Sequence, residues 1–286
     1  MPSVRQIARR IRSVENTAKI TKAMSMIAAS KLRRTQDAAT QGRAYSEKMS
    51  EIVRSVSSSF GDEENHHPLS EQRGIVNSAL VFITPDRGLT GGLNSNLIRK
   101  ASDFINSRPG YVKLIAVGKK GGDFGRRTDL EIIETYTGIP DRPSLTDTKP
   151  ISNSAISSFE HGDVDEVYVC YAKFVNTTLQ RATIDQVLPV IPPESDETTF
   201  NEYIFEPSPS DVLNTLLPRY VETLIHQSIL EAGASEQSAR MVAMNQATDN
   251  ANEMVDDLTL LMNKLRQETI TKELLDIVGG VAAVEN

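Results

Sequence analysis

The sequence predicts an α/β fold in which a mixed middle domain lies between two long terminal helices. Three observations carry this prediction. The first 58 residues hold one glycine, Gly42, and no proline after Pro2. Small and apolar residues at both ends of the chain recur at alternating steps of three and four, the 3.5-residue period of paired helices. Between those ends, short β-branched runs alternate with helical stretches, as in a sheet layered with helices. The predicted segments are 1–58, 70–205 and 208–286.

In the first segment the seam runs through Val4, Ile7, Ile11, Val14 and Ala18, then Thr21, Ser25, Ala28, Leu32, Thr35 and Ala39. The period holds while the residues shrink. Ala in place of Leu removes three carbons, roughly 2 kcal/mol of burial at about 0.8 per CH₂. Such a seam favours close approach of another backbone rather than a self-sufficient zipper. Pro2 stands where a helix start tolerates it.

The middle segment opens with a solvated linker, Ser57–Glu71. Ser78–Thr84 reads as a buried strand, followed by the loop Pro85–Gly92 and a helix over Leu93–Asn106. Val112–Val117 is the second strand, Gly118–Arg127 is partly helical, and Glu131–Tyr136 is the third strand. A helix over Ile151–Glu160 precedes strand Glu166–Phe174, and Ala182–Val190 completes an antiparallel edge pair. This alternation implies a Rossmann-like α/β sheet. The Pro-containing stretches Ile191–Glu194 and Glu206–Ser210 lead to the final helix.

That helix is expected to start with Ser210 or Asp211 as N-cap and to stop at Gly279 and Gly280. Pro218 should kink it, and Gly233 weakens its middle. Met244, Ala247, Ala251, Met254, Leu258, Leu261 and Leu265 form its seam. At 1.5 Å per residue each terminal helix is on the order of 80–100 Å long, against about 30 Å for a middle domain of this size. The pair is therefore expected to project as a rod.

Composition narrows the function. The 286 residues include no Trp and one cysteine, Cys170, so an intrachain disulfide and a cysteine-built zinc site are excluded. The longest run free of charged and strongly polar residues, Val278–Val284, is far short of the roughly 20 that span a bilayer. The net charge of −7 divides unevenly: residues 1–58 carry +8, residues 59–207 carry −8 and residues 208–286 carry −7. The basic start alone would point to nucleic acid or an anionic membrane, but the acidic C-terminal segment offers a partner within the chain, and internal pairing is the first reading. Arg5, Arg9, Arg10 and Arg12 mimic a transit peptide, yet the helical pattern continues past Arg34.

No catalytic constellation stands out. Gly88, Gly91 and Gly92 match neither G-x-G-x-x-G nor G-x-x-x-x-G-K-[ST], and Gly118-Lys119-Lys120-Gly121 lacks the hydroxyl that would hold magnesium. A tight turn is the better reading of both. His66 and His67 beside Asp62, Glu63 and Glu64 lack preorganised metal geometry and read as a solvated loop. His161 and His226 read as structural, and Cys170 as a packed side chain. Two rival classes, a nucleotide-binding enzyme and a nucleic-acid-binding protein, leave the matched heptads unexplained.

Longer motifs are more specific. These are Ile20-Thr21-Lys22-Ala23-Met24, Ser30-Lys31-Leu32-Arg33-Arg34, Asp86-Arg87-Gly88-Leu89 with Gly91-Gly92-Leu93-Asn94, and two C-terminal blocks, Ala234–Ala251 and Leu258–Leu274. With them the chain resembles, over essentially its whole length, the gamma subunits of bacterial F-type ATP synthases.

The resemblance implies an antiparallel, left-handed coiled coil of the terminal helices within a ring of three alpha and three beta subunits, one copy per ring. The Rossmann-like domain would meet the epsilon subunit and the c-ring of the membrane sector. It implies a rotor shaft coupling proton-driven rotation to ATP synthesis at the beta subunits and regulating ATPase activity and proton flow. The chain would carry no catalytic site, cofactor or metal, bind no nucleic acid and insert into no membrane, lying at the cytoplasmic face of the cell inner membrane. By matching motif, Arg266 and Gln267 meet a beta-subunit catch loop, and Met24, Arg240, Gln267, Thr271 and Glu273 belong to coupling. Alternatively, Met24 and Arg240 brace the two helices. Lys19, Lys22, Lys31, Arg33 and Arg34 form a basic face toward acidic beta-subunit loops. Foot contacts are expected around Phe200–Phe205 and Gln41–Tyr45. The chain departs from the plant chloroplast form in lacking its inserted cysteine pair, which argues against a thiol switch, and Thr90 stands where a cysteine is frequent.

Overall fold

The computed structural model describes residues 3–58, 67–191, 206 and 209–284. Two terminal helices, α1 (Val4–Ser58) and α5 (Pro209–Val284), flank strands β1 (Asn77–Ile83), β2 (Tyr111–Val117), β3 (Ile132–Tyr136), β4 (Glu166–Phe174) and β5 (Gln180–Leu188), with helices α2 (Leu93–Ser107), α3 (Lys119–Arg127) and α4 (Leu145–Glu160) between them. The chain divides into two compact units, residues 28–240 and residues 1–27 with 241–286, and both terminal helices contribute to each.

In the larger unit the strand order is β3-β2-β1-β4-β5. β1 pairs in parallel with β2 and β4, β2 in parallel with β3, and β4 antiparallel with the edge strand β5. Side chains alternate across the sheet. Val81, Ile83, Ile115, Val169 and Tyr171 face a core completed by Met49, Val53 and Val56 of α1, by α4, and by Leu217, Val221 and Ile225 of α5. Leu80, Phe82, Leu114 and Cys170 face α2 and α3. The lower reach of each terminal helix is thus part of the domain core.

Several boundaries differ from the sequence reading for local reasons. Helix α4 begins six residues before Ile151, because the Asp147 carboxylate accepts from Ser144 N and Ser144 Oγ at 2.7 Å each, forming an N-terminal capping box. Pro150 then sits in the second turn, where it forfeits a single helical bond. The end of the supposed linker is ordered: Pro68–Ser70 is a short 3₁₀ helix, Leu69 is fully buried, and Val190 N donates to Leu69 O at 2.8 Å. Helix α5 starts at Pro209, placing Ser210 and Asp211 inside its first turn. It also runs through Gly279 and Gly280. Glycine lowers helix propensity by about 1 kcal/mol but ends a helix only where it turns left-handed.

In the smaller unit α1 and α5 pack antiparallel: Thr21 Oγ1 lies 2.7 Å from Thr248 Oγ1, and Ser25 Oγ donates to Asn245 Oδ1. Ile7, Ile11, Ala18, Thr21 and Ser25 are buried along α1, on the predicted period. On α5 the seam passes through Met244, Thr248, Ala251, Val255, Leu258, Met262 and Leu265. Met254 and Leu261, expected in it, are 52% and 43% exposed. The hydroxyl pairing at Thr248 shifts the seam one residue, and Val255 and Met262 are apolar enough to take the two places.

The expected internal charge pairing is absent from this unit: among its described residues no ion pair joins α1 to α5. Arg5, Arg9, Arg12, Lys19 and Lys22 are exposed, as are Asp249, Glu253, Asp256 and Asp257. An exposed pair gains about 0–1 kcal/mol, which the entropy of ordering two long side chains offsets.

Candidate functional site

Antiparallel pairing of Thr21 with Thr248 sets Val4, where α1 begins, level with about residue 265 of α5. From Arg266 onward α5 has no α1 residue opposite. Ile270, Leu274, Leu275, Ile277 and Val278 are 47%, 57%, 66%, 63% and 64% exposed. A helix with apolar residues open on several sides is a surface awaiting a partner. Arg266, Gln267, Thr271 and Glu273 are exposed on this same stretch. Gln267, Thr271 and Leu274 follow one helical line at steps of four and three, with Arg266, Ile270 and Glu273 on the adjacent line.

The other predicted residues are spread more widely. Lys19 and Lys22 are exposed and Met24 half-buried on α1 of the smaller unit; Arg33 and Arg34 are exposed in the larger unit. Lys31 reaches Asp141 Oδ2 at 2.7 Å, which ties α1 to the loop after β3. Arg240 belongs to the larger unit and Met24 to the smaller. The Arg240 guanidinium bonds within its own helix, Nη2 to Glu236 Oε1 at 2.6 Å and Nη1 to Gln237 Oε1 at 3.3 Å. Gln41 and Tyr45 are exposed. The foot residues Phe200–Phe205 lie outside the described residues, as does His66.

The carboxyl ends of β1 and β2 border a cavity of about 80 Å³ lined by Thr84, Asp86, Gly138, Asp141, Gly233 and Glu236, among others. Open α/β sheets bind ligands at this edge. Here the amides at the start of α3 are taken by the protein itself: Lys119 N donates to Asp86 Oδ1 at 2.8 Å and Gly121 N to Thr84 Oγ1 at 2.7 Å. Asp86 Oδ2 also accepts from Gly138 N at 2.9 Å. Gly118, with φ of +93°, allows the close approach, since a Cβ there would lie 1.9 Å from Thr84 O. The two glycine-containing loops therefore form a knot of backbone bonds around Asp86, with their donors turned inward.

Cys170, His67 and His226 are structural. Cys170 is fully buried and its thiol is pushed up to about 12 by burial, so no thiolate forms near neutrality. His67 accepts from Leu69 N at 3.0 Å and caps the 3₁₀ helix, which corrects its reading as part of a solvated loop. His226 Nδ1 lies 3.0 Å from Thr148 Oγ1, and burial lowers its pKa. No group of three or more His, Cys, Asp and Glu among the described residues could hold a metal ion, and no described helix is long and apolar enough to cross a membrane.

Sequence reasoning missed the clamp between α1 and α5 in the larger unit. Arg43 Nη2 donates to the buried Glu231 carboxylate at 2.9 Å, and Gln227 Nε2 donates to Ala39 O at 3.0 Å and to Glu231 Oε1 at 3.2 Å. The i, i+4 spacing of Gln227 and Glu231 and their place beside the seam were the available signal. The Glu236–Arg240 pair, also at i, i+4, was missed for the same reason.

Comparison with known proteins agrees over the whole length. The family described as ATP synthase matches residues 3–284. An ATP synthase gamma chain of Dehalococcoides mccartyi is 48% identical over 284 residues, covering 99% of this chain and 100% of its own. One from Roseiflexus sp. is 45% identical over 287 residues, with 99% of each chain covered. Among solved structures, the central stalk/c-ring of the Tetrahymena thermophila mitochondrial ATP synthase holds a chain 25% identical, with TM-score 0.60, covering 80% of this chain and 99% of that one. The rotor of the Euglena gracilis mitochondrial ATP synthase holds one 17% identical, with TM-score 0.67, covering 93% and 98%, a likeness of fold. On identity, coverage and fold together, the chain belongs to the ATP synthase gamma-chain family.

Proposed function

We propose that this non-catalytic subunit acts as the central rotor shaft of a proton-translocating F-type ATP synthase, one copy per three alpha and three beta subunits. The observation that carries the reading is the stretch of α5 after Leu265, which presents apolar side chains with no α1 residue opposite. Such a surface calls for a surrounding protein sleeve, and a ring of alpha and beta subunits supplies one. The segments 1–58 and 208–286 then serve as shaft, and 70–205 as the foot toward the epsilon subunit and c-ring. Rotation does work if each shaft orientation gives a beta subunit a different contact energy, shifting its conformational populations.

In this reading Arg266 and Gln267 engage a beta-subunit loop, and Thr271, Glu273, Met24 and Arg240 serve coupling. Of the basic face Lys19, Lys22, Lys31, Arg33 and Arg34, the four exposed charges guide orientation, since such charges steer more than they bind, while Lys31 is held by Asp141. No cofactor, nucleic acid or membrane insertion enters the reading. The complex it belongs to is membrane-associated, and the shaft lies at the cytoplasmic face of the cell inner membrane as a peripheral subunit. The test is the native mass of the chain co-expressed with the alpha and beta subunits of its own organism. One copy in a particle with three of each is expected; a folded chain that stays outside that particle would overturn the assignment.

A further inference from the structure

Glu236 and Arg240 face each other one turn apart on α5, with Arg240 Nη2 donating to Glu236 Oε1 at 2.6 Å. Their side chains are 12% exposed for Arg240 and 24% for Glu236. Among the described residues Glu236 is the one carboxylate paired with Arg240, so a nearly buried guanidinium depends on it for neutralisation. The second bond of Arg240, to Gln237 at 3.3 Å, supplies no charge.

The carboxyl of Glu236 is also part of the cavity wall at the strand ends. The charged groups acting on it come from three places: Arg240 on its own helix, Asp141 on the loop after β3, and Asp86 on the loop after β1. Lys31 of α1 is held by Asp141. Gly233, one turn earlier on α5, has open space where a Cβ would stand. Glu236 thus has water-sized space beside it. Burial pushes its pKa above the ordinary glutamate range against the opposing pull of Arg240, and Asp141 and Asp86 add to the rise.

We infer that Glu236 is a positioning residue for Arg240, holding the guanidinium along α5 while the carboxylate is ionised and releasing it on taking up a proton. The step places one solvent proton on the Glu236 carboxylate and breaks no covalent bond. The released guanidinium, left without a neutralising partner, turns toward water. The consequence for the motor rests on the proposed role of Arg240 in coupling: coupling would depend on pH through Glu236.

The test follows the full-length chain by NMR, with ¹³C-labelled glutamate carboxyl carbons and the Arg240 Nε–H signal, the Glu236 resonance being assigned by its loss in Glu236→Gln. Glu236 should titrate at higher pH than the exposed glutamates, and the Arg240 signal should move with the same midpoint. Glu236→Gln should hold Arg240 in its low-pH position throughout, while Glu236→Asp should keep a pH-dependent transition. A Glu236 titration indistinguishable from the exposed glutamates, or an Arg240 signal that ignores it, would overturn the inference. In the assembled complex, Glu236→Gln should remove part of the pH dependence of coupling. A normal latch transition with an unmoved coupling profile would support the positioning role and overturn the coupling role of Arg240.

Discussion

Arg43 and Glu231 fasten α1 to α5 through one carboxylate oxygen. Arg43 Nε and Nη2 reach Glu231 Oε1 at 3.2 and 2.9 Å, and Gln227 Nε2 reaches it at 3.2 Å. Glu231 is 3% exposed whereas the Arg43 side chain is 45% exposed. The acid is the committed partner and the base is the one that solvent can replace. Arg43→Ala leaves a buried charge with one neutral donor and should cost about 2 kcal/mol, the scale of a hydrogen bond to a charged group. Adding Glu231→Gln should recover part of that by removing the stranded charge. Urea unfolding of the three chains checks both steps, and a loss under about 0.5 kcal/mol for Arg43→Ala would dismiss the clamp.

Two helical glycines should respond oppositely to alanine. At Gly42 a Cβ would lie 2.2 Å from Gln227 Oε1 and 2.9 Å from Leu230 Cδ1, while at Gly233 nothing lies within 4 Å. Gly233→Ala should stabilise by about 1 kcal/mol from helix propensity alone. Gly42→Ala should destabilise by about 1–3 kcal/mol, the range for overpacking, because it displaces Gln227 from its bond to Ala39 O. Shifts of the unfolding midpoint in the same direction for both variants would contradict the geometry.

The fold class, the α1 seam and the antiparallel strand pair were legible because periodicity and burial coincide there. Ala18 and Ala28 were recognisable by spacing although they are small, and both are buried. On α5 spacing was ambiguous, since Met254 and Val255, and Leu261 and Met262, are apolar neighbours; the choice between them follows from the Thr21–Thr248 contact, which no single helix encodes. The start of α4 was hidden by Pro150, and the buried Leu69 by the polar residues around it. Charge balance pointed to internal pairing, and Arg43–Glu231 is one such pair between the basic and acidic segments, but totals say nothing of which face a charge occupies, and in the smaller unit the charges face outward. The family motifs located the exposed residues near Arg266, whereas Glu236 and Glu231 needed the packed structure to separate a surface acid from a buried one.

Histidine 226 should leave a mark on the pH dependence of stability. Burial lowers the folded pKa of His226, outweighing the opposing effect of Asp147. The unfolded chain then takes up the proton more readily than the native state, so stability is at its full value above the ordinary histidine pKa of about 6.5 and is lost as pH falls from there through the lower folded value. In His226→Asn this part of the slope should shrink to the share left by His67, whose pKa burial also lowers. Urea midpoints at several pH values between about 5 and 8 decide the matter, and an unchanged profile in the variant would exclude His226 as the cause.

Arg266 and Gln267 offer the sharpest separation of folding from function. Both are exposed on a part of α5 with no α1 residue opposite, and surface changes away from packed or paired groups usually stay within about 0.5 kcal/mol. Arg266→Ala with Gln267→Ala should therefore leave the unfolding midpoint and assembly with alpha and beta subunits intact. If these side chains transmit torque to a beta subunit, proton-driven ATP synthesis in membrane vesicles should fall several-fold while the particle still forms. The neighbouring Lys264, also exposed, serves as control, since Lys264→Ala removes a charge from the same helix without touching the proposed contact. Full synthesis in the double variant would remove Arg266 and Gln267 from the coupling surface, whereas equal losses in the control would assign the effect to charge rather than to the specific pair.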